Sequence, residues 1–421
     1  MTPVVPFDIL GNIVDILVND NEKGLQYAEA LSLTCKSFLP LCRTHIFSTI
    51  TITTSDALEG LHRGEAFGEF LLTTPDIARY VRKLRIRLYD PCSEPRQFFV
   101  RVPRQLTRLE SFTILEHSLR QNDWNYIPLS MRYLLLDFIH IPTLNHLDLR
   151  SLRNFPISHL IPSPNLKHLS TTNLFLVDEG DAATALAPFK PIKLRVLDIA
   201  LRGLTAHRVL PPQTRFLAAI HSGRWPILDL TGVQKISLEF PNIFLTIPLR
   251  QVFQNTRQLT DIHLLVDEGC FRALKLAKTI VPCIETLSRM HLVIASDGPS
   301  LPTSGMASLS DVCHELEDIA GKNKLDSLKI EICMDRNEYG LLGDEQLGRL
   351  EKTFLKSGWP MLKNLYLDFV VYNFGQEDDS FFEMGLEKLR QTQFADLKSS
   401  KTIDFRFSVR STSNNISLFI Y

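Results

Sequence analysis

The chain has 421 residues, of which 44% are hydrophobic and 22% charged, and its formal net charge is -1. This is the composition of a folded protein long enough for more than one compact domain or one elongated solenoid, and its near-neutrality excludes a chain built around nucleic-acid phosphates or an anionic membrane surface. No apolar run reaches the length of a membrane span, and no basic residue precedes the first apolar stretch. Neither a transmembrane helix nor a signal peptide is therefore expected, and the protein is assigned to the cytoplasm or nucleus. The seven cysteines, Cys35, Cys42, Cys92, Cys270, Cys283, Cys313 and Cys333, are scattered without a paired spacing, which fits reduced thiols rather than disulfides or a zinc site.

Helical periodicity begins at once. Ile9, Leu10, Ile13, Ile16 and Leu17 fall on one stripe, while Asp8, Asn12 and Asp15 lie off it, and Pro6 stands where a helix can begin without losing a hydrogen bond. The polar run 19–24 ends that helix, and two further short apolar segments follow at 25–33 and 35–47. A unit this small, residues 1–48, carries more apolar surface than it can bury on itself, which predicts a docking module.

These residues resemble the F-box. The resemblance is carried by Val5-Pro6-Phe7-Asp8-Ile9-Leu10, by Ile13, Ile16 and Leu17, by Ser32-Leu33-Thr34-Cys35-Lys36-Ser37-Phe38, and by Arg43, His45-Ile46-Phe47 and Ile50-Thr51-Ile52. Val5, Thr34 and Phe38 stand where Leu, Val and Trp are usual. The segment Pro75-Asp76-Ile77-Ala78-Arg79-Tyr80-Val81-Arg82-Lys83-Leu84 is similar to one that follows the motif in the F-box proteins abundant in mushroom-forming fungi. The resemblance implies a substrate-recruiting receptor subunit of a cullin-RING, SCF-type ubiquitin ligase, which docks the small adaptor subunit and through it a cullin. It places Pro6, Leu10, Ile13, Leu17, Leu33, Cys35 and Phe38 on the adaptor-facing or supporting surface. It also implies that no catalysis occurs in this chain and that no cofactor is needed.

Residues 49–80 read as a connecting strand and helix, and residues 81–421 as a degenerate leucine-rich-repeat domain. A pattern LxxLxL returns at Val81-x-x-Leu84-x-Ile86, Leu109-x-x-Phe112-x-Ile114, Leu144-x-x-Leu147-x-Leu149, Leu194-x-x-Leu197-x-Ile199, Val233-x-x-Ile236-x-Leu238, Leu259-x-x-Ile262-x-Leu264, Leu325-x-x-Leu328-x-Ile330 and Leu362-x-x-Leu365-x-Leu367. Met131-x-x-Leu134-x-Leu136, Leu166-x-x-Leu169 and Leu287-x-x-Met290-x-Leu292 are further candidates. The intervals are irregular, against the ~20–29 residues of well-formed leucine-rich repeats. Each pattern predicts a short strand with one face in a core, and each intervening segment returns the chain to lay the next strand alongside in a parallel sheet. Helical returns are expected at 214–221, 270–286, 308–320, 344–357 and 381–391. The expected fold class is thus α/β: a three-helix unit, then an irregular solenoid with parallel strands on one face and helices on the other. Period-two alternation at Ile403, Phe405, Phe407, Val409 and again at Ile416, Leu418, Ile420 predicts a terminal hairpin cap.

No nucleotide-binding, metalloprotease, nucleophile-elbow or calcium-loop motif is present. His146, His168, His263 and His291 recur before or within the strands and read as solvent-facing positions that share no site, since no ligand spacing joins them. The pairs Asp178-Glu179 and Asp267-Glu268 read as loops after strands. Between residues 79 and 108, nine basic residues face only Asp90 and Glu94, and Arg85 and Arg87 fall opposite the core face of their strand. Two readings stand there: a solvated face balanced by acids folded nearby, or a guanidinium fork for a phosphate or acidic segment.

Two binding roles compete, with an enzyme a distant third. In the first, the helices dock the ligase adaptor and the repeats recruit a protein target. In the second, the chain is a leucine-rich-repeat scaffold for protein interaction whose N-terminal helices only cap the array, with no ubiquitin-ligase role. The fate of the stripe on residues 9–17 separates them: exposed in the first, buried in the second. The outward strand positions, Arg85, Arg87, His146, Asp148, Arg150, Asp198, Lys235, Glu239, Asp261, His263, Lys329, Glu331, Asn364, Tyr366 and Asp368, make a mixed surface suited to a protein or peptide rather than to lipid or nucleic acid. Tyr366, Arg85, Arg87 and Arg150 are the expected partner anchors.

Overall fold

The computed structural model describes residues 6–19, 23–54, 58–88, 101–116, 123–150, 152, 155–172, 176–177, 190–200, 227–240, 246–295, 305–335, 344–355, 358–372, 384, 387–389 and 391–412. The chain divides into two compact units, Met1–Ile192 and Lys193–Tyr421. Each is an α/β layer of parallel strands backed by helices, and the first also carries the N-terminal helical unit.

In the first unit, helices α1 (Phe7–Asn19), α2 (Gly24–Ser32) and α3 (Phe38–Ile46) precede strand β1 (Thr49–Thr54), helix α4 (Leu58–Thr73) and strand β2 (Lys83–Leu88). Strand β3 (Ser111–Glu116), helix α5 (Leu129–Ile139), strand β4 (His146–Arg150) and strand β5 (His168–Thr172) follow, with shorter turns and a two-stranded pairing of Phe155–Pro156 with Leu176–Val177. The strands pair in parallel and in chain order from β1 to β5. The leading apolar residue of each pattern, Val81, Leu109, Leu144 and Leu166, is buried just ahead of its strand. There the chain turns inward, and one carbonyl per turn accepts two amides of the next. Ser48 O receives Arg82 N (3.0 Å) and Lys83 N (2.8 Å), Arg82 O receives Glu110 N and Ser111 N, Glu110 O receives Asn145 N and His146 N, and Asn145 O receives Lys167 N and His168 N.

The second unit repeats the device. Strands β6 (Val196–Ala200), β7 (Lys235–Phe240), β8 (Asp261–Asp267), β9 (Arg289–Ala295), β10 (Ser327–Asp335), β11 (Asn364–Tyr372) and β12 (Asp404–Thr412) pair in parallel and in chain order. Helices α6 (Thr246–Asn255), α7 (Glu268–Leu274), α8 (Gly305–Ile319) and α9 (Asp344–Leu355) lie between them in the sequence. Neighbouring helices are tied by polar links: Arg272 to Asp311 at 2.8 Å joins α7 to α8, and Arg349, reaching Glu317 at 3.0 Å and the Ser310 hydroxyl at 3.1 Å, joins α9 to α8. Glu351 on α9 accepts the amides of Asp396 and Leu397, capping the short turn Ala395–Lys398. Beneath β12, Phe394 packs on Phe405 and Phe407.

Several expectations are corrected. Met131, Leu134 and Leu136 do not form a strand. They lie on α5, where Met131, Leu134, Leu135, Phe138 and Ile139 are buried at spacings of three and four, and Phe138 meets Phe112 of β3 at 5.2 Å. An LxxLxL string also satisfies a helical stripe, and burial against β3 selects the helix. Residues 270–286 are not one helix: α7 stops at Leu274, Lys275 adopts a left-handed φ of 49°, and two short turns, Leu276–Thr279 and Val281–Cys283, follow. The periodicity reading contains no helix at α5 or α6. The expected helix at 214–221 and the second arm of the terminal hairpin at 416–420 lie outside the described residues, while the first arm is β12, parallel to β11. Of the expected helix at 381–391, the described residues 384, 387–389 and 391 are helical. Gly358 serves close packing. Helix α9 ends before it, a Cβ there would meet the Ala320 side chain at 2.5 Å, and its carbonyl accepts the Gly321 amide at 2.7 Å.

Asn323 stitches this junction. Its Nδ2 donates to the carbonyls of Ile319 and Gly358, and its Oδ1 accepts the Leu325 amide, each at 3.2 Å, with the residue buried. Asn323→Ala strands the buried Leu325 N–H, a loss of about 1–3 kcal/mol. Urea unfolding of the purified chain should show that loss in the transition reporting the second unit, and an unchanged midpoint would contradict the stitching role.

Candidate partner-docking surfaces

Helices α1, α2 and α3 close on a small core of Val14, Ala28 and Cys42, flanked by Val18, Leu31, Phe38, Leu41 and Ile46. Gly24 is demanded by this packing, because a Cβ there would fall on the Val18 carbonyl. His45 Nε2 and Asp15 Oδ1, 2.9 Å apart, tie α3 to α1. Apolar residues span more of α1 than one core stripe. Val14 points inward, with Leu10, Leu17 and Val18 half-buried beside it, whereas Phe7, Ile9, Ile13 and Ile16 are exposed, Ile16 at 59%. Leu25, Tyr27 and Leu33 are exposed on the same unit, and Leu33 is 86% accessible.

Of the residues assigned to adaptor docking, Pro6, Ile13, Leu33 and Cys35 are therefore exposed, and Leu10, Leu17 and Phe38 are half-buried, Phe38 against the Val14 core. The sequence reading left out Val14, which anchors α1. It placed Ile9, Ile13 and Ile16 on the same stripe as Leu10 and Leu17 without saying which of them point outward. The signal was the width of the apolar arc, which exceeds what one packed face needs.

The outward face of the first sheet carries a cationic column on β2. Lys83, Arg85 and Arg87 are exposed and alternate with buried Leu84, Ile86 and Leu88. Thr49, Thr51 and Thr53 of β1 stand opposite them on one side, and Ser111, Thr113 and Leu115 of β3 on the other. Further along, Asp148 is buried, and the side chain of Arg150 lies outside the described part of the structure.

In the second unit, parallel register sets Asp198, Ser237, His263, His291, Lys329, Tyr366 and Arg406 in one row across seven strands. Tyr366 is half-buried, with the Arg406 guanidinium 5.3 Å from its ring centroid. In the next row stand Glu331, Asp368 and Ser408; the Ser408 hydroxyl donates to Asp368 at 2.7 Å, and Arg410, one row further, bridges Glu331 (3.5 Å) and Asp368 (3.0 Å). Towards the strand ends, Val293, Ala295, Cys333 and Val370 form a buried apolar cluster with Leu265 and Tyr372, and burial pushes the Cys333 thiol up to about 12.

This register stacks in pairs the strand histidines that the sequence reading treated singly. His146 faces His168 and His263 faces His291, with ring centroids 3.9 and 4.4 Å apart and planes within 15° and 8°. Identical side chains in register on adjacent parallel strands stack, whatever their distance in sequence. Ser237 Oγ lies 3.2 Å from His263 Nδ1, but the imidazole's other cross-strand neighbour is a second imidazole, not the carboxylate that a nucleophilic triad places there. Among the described residues no group of three or more His, Cys, Asp or Glu stands together as a metal site, and no helix is long and apolar enough to cross a membrane.

No family model and no curated protein matches this sequence. Among solved structures, it is similar to a chain of the yeast Rad7–Elc1 complex, with 13% identity and a TM-score of 0.33 over 86% of this chain and 87% of that one. It is also similar to an internalin (inlF) of Listeria monocytogenes, with 11% identity and a TM-score of 0.28 over 95% of this chain and 98% of that one.

The histidine stack has a measurable consequence. His291 stays neutral in the fold, its pKa pushed down to about 3 by burial first and then by His263 and Lys329, and His263 is lowered by burial and by Lys235 and Lys329. An unfolded histidine titrates near 6.5, so between these values the unfolded chain binds a proton that the folded one refuses, and stability rises with pH. The second unit should be at full strength above about pH 6.5 and weaken as pH falls below it. His291→Phe keeps a ring in the stack and removes the proton. Urea midpoints between about pH 5 and 6.5, above most carboxylate titrations, should therefore slope less in the variant. Parallel slopes would mean that the stack does not titrate as described.

Proposed function

We propose that this chain is the substrate-recruiting receptor subunit of a cullin-RING, SCF-type ubiquitin ligase, with its N-terminal helices docking the ligase adaptor and its strand faces holding a protein target. The observation that carries the reading is the outward face of α1. Ile9, Ile13 and Ile16 lie exposed although Val14, on the other side of the helix, is fully buried. An apolar ridge of this kind costs free energy in water unless a partner covers it, and a standard interface buries ~1,200–2,000 Å² around a few such anchors. Leu33, Leu25 and Tyr27 extend the apolar surface of the same small unit. The alternative, a scaffold whose helices merely cap the array, requires this ridge to be covered by the chain itself.

In this reading the chain performs no bond chemistry. It raises the local concentration of a target beside a ubiquitin-conjugating enzyme that the rest of the assembly supplies, so the rate gain comes from tethering rather than from acid, base or nucleophile. The sheet faces suit that task, since their charged and aromatic side chains are held by backbone register and need little ordering on binding.

Ile13→Asp places a charge at the centre of the ridge without touching Val14, Ala28 or Cys42. Adaptor co-purification should fall at least about thirtyfold, the scale of an interface hot spot, with the helical content of the chain unchanged. Undiminished co-purification would rule out docking through this face.

A further inference from the structure

We propose that the outward face of β2, with its neighbours β1 and β3, binds an extended acidic segment of a partner protein that carries anionic groups at every second residue. The inference rests on the recruitment half of the reading above and is independent of adaptor docking. Lys83, Arg85 and Arg87 all point outward because the residues between them, Leu84, Ile86 and Leu88, are buried at 0 to 1% exposure. Their spacing is fixed by the strand at about 6.6–6.8 Å, which is also the distance between alternate side chains of any extended peptide laid along it. A segment with acids at alternate positions meets one cation per acid; a segment with consecutive acids sends half of them to the far side.

Two further observations give the column its preference for oxyanions. Thr49 and Thr51 on one side and Ser111 on the other face it in register, adding hydroxyls that donate to carboxylate or phosphate oxygens without adding a competing charge, while Thr113 beside Arg85 is buried. Basic residues just before the strand are already paired, Arg82 with Glu110 at 2.8 Å and Arg79 with Asp76 at 4.0 Å, whereas no described carboxylate pairs with Lys83 or Arg85. Asp148, two strands from Arg85 in the same row, is buried at 5% exposure and has interactions of its own. Among the described residues, the balance by nearby acids that would make this an ordinary solvated face is therefore present at Arg79 and Arg82 and not at Lys83 and Arg85. Arg85, central in the column and flanked by Thr51 and Thr113, is the specificity-determining residue, because its guanidinium fork matches a carboxylate or phosphate edge.

The test is fluorescence anisotropy with the full chain and short labelled peptides: one with glutamate at alternate positions, its phosphoserine counterpart, and an isomer of the glutamate peptide with the acids consecutive. The alternating peptides should bind about tenfold or more tighter than the isomer, and Arg85→Glu should remove that advantage while Arg101→Glu, an exposed arginine outside the strand, keeps it. Comparison of the glutamate and phosphoserine peptides tells which oxyanion source is preferred. Equal binding of alternating and consecutive peptides, no binding of either, equal loss in the two variants, or displacement of the peptide by a single-stranded oligonucleotide at similar concentration would each overturn the proposal. Adaptor co-purification from the same preparations separates the two ideas. Its presence without spaced-peptide binding defeats only this inference, and spaced-peptide binding without the adaptor leaves this inference standing while the ligase role falls.

Discussion

The strand faces of this protein depend on one recurring lock, a carbonyl ahead of the strand that accepts two amides from the following turn. The buried leading residue, such as Val81, Leu109, Leu287 or Leu325, pins the chain inward one step before the strand, and the shared carbonyl fixes the height at which the next strand starts. Together they leave no freedom in register. A slip by one residue would turn Leu84 and Ile86 to water and Arg85 and Arg87 into the core, at a cost of several kcal/mol for the buried charges alone. Because the lock uses backbone groups and one apolar side chain, it tolerates the irregular lengths of the segments between strands.

The outward faces follow from that lock. Within each unit a row of side chains is drawn from strands far apart in sequence, and its chemistry is set by which residues share a height. Stacked imidazoles at His146–His168 and His263–His291, the Arg410 bridge between Glu331 and Asp368, and the cationic column on β2 are all products of register. At the C-terminal ends of β9, β10 and β11 the outward positions turn apolar at Val293, Cys333 and Val370, so these strands are buried on both faces there, as their near-continuous apolar runs require.

The helical unit obeys a different constraint. Three short helices enclose one small core, and Gly24 leaves no room for a side chain beside the Val18 carbonyl. With Val14, Ala28 and Cys42 as its buried hydrophobic core among the described residues, several of its large apolar side chains, Ile9, Ile13, Ile16 and Leu33 among them, remain at the surface. The exposed ridge of α1 is a geometrical result of too few residues to cover it, and a partner-binding role makes use of that shortage.

The sequence by itself determined the strands, because an apolar residue three and five positions after a leading one encodes both the inward turn and the alternating face. It also marked the three N-terminal helices and the outward set that includes Arg85 and Tyr366. It could not tell Met131-x-x-Leu134-x-Leu136 from a strand, since the same string fits a helix and only packing against Phe112 distinguishes them. Nor could it join His263 to His291, or tell that the described carboxylates near β2 pair with Arg79 and Arg82 rather than with Lys83 and Arg85. Those facts belong to pairing between strands, and pairing depends on the height at which each strand enters the sheet. That height is set by hydrogen bonds between turns distant in sequence, which no local pattern contains.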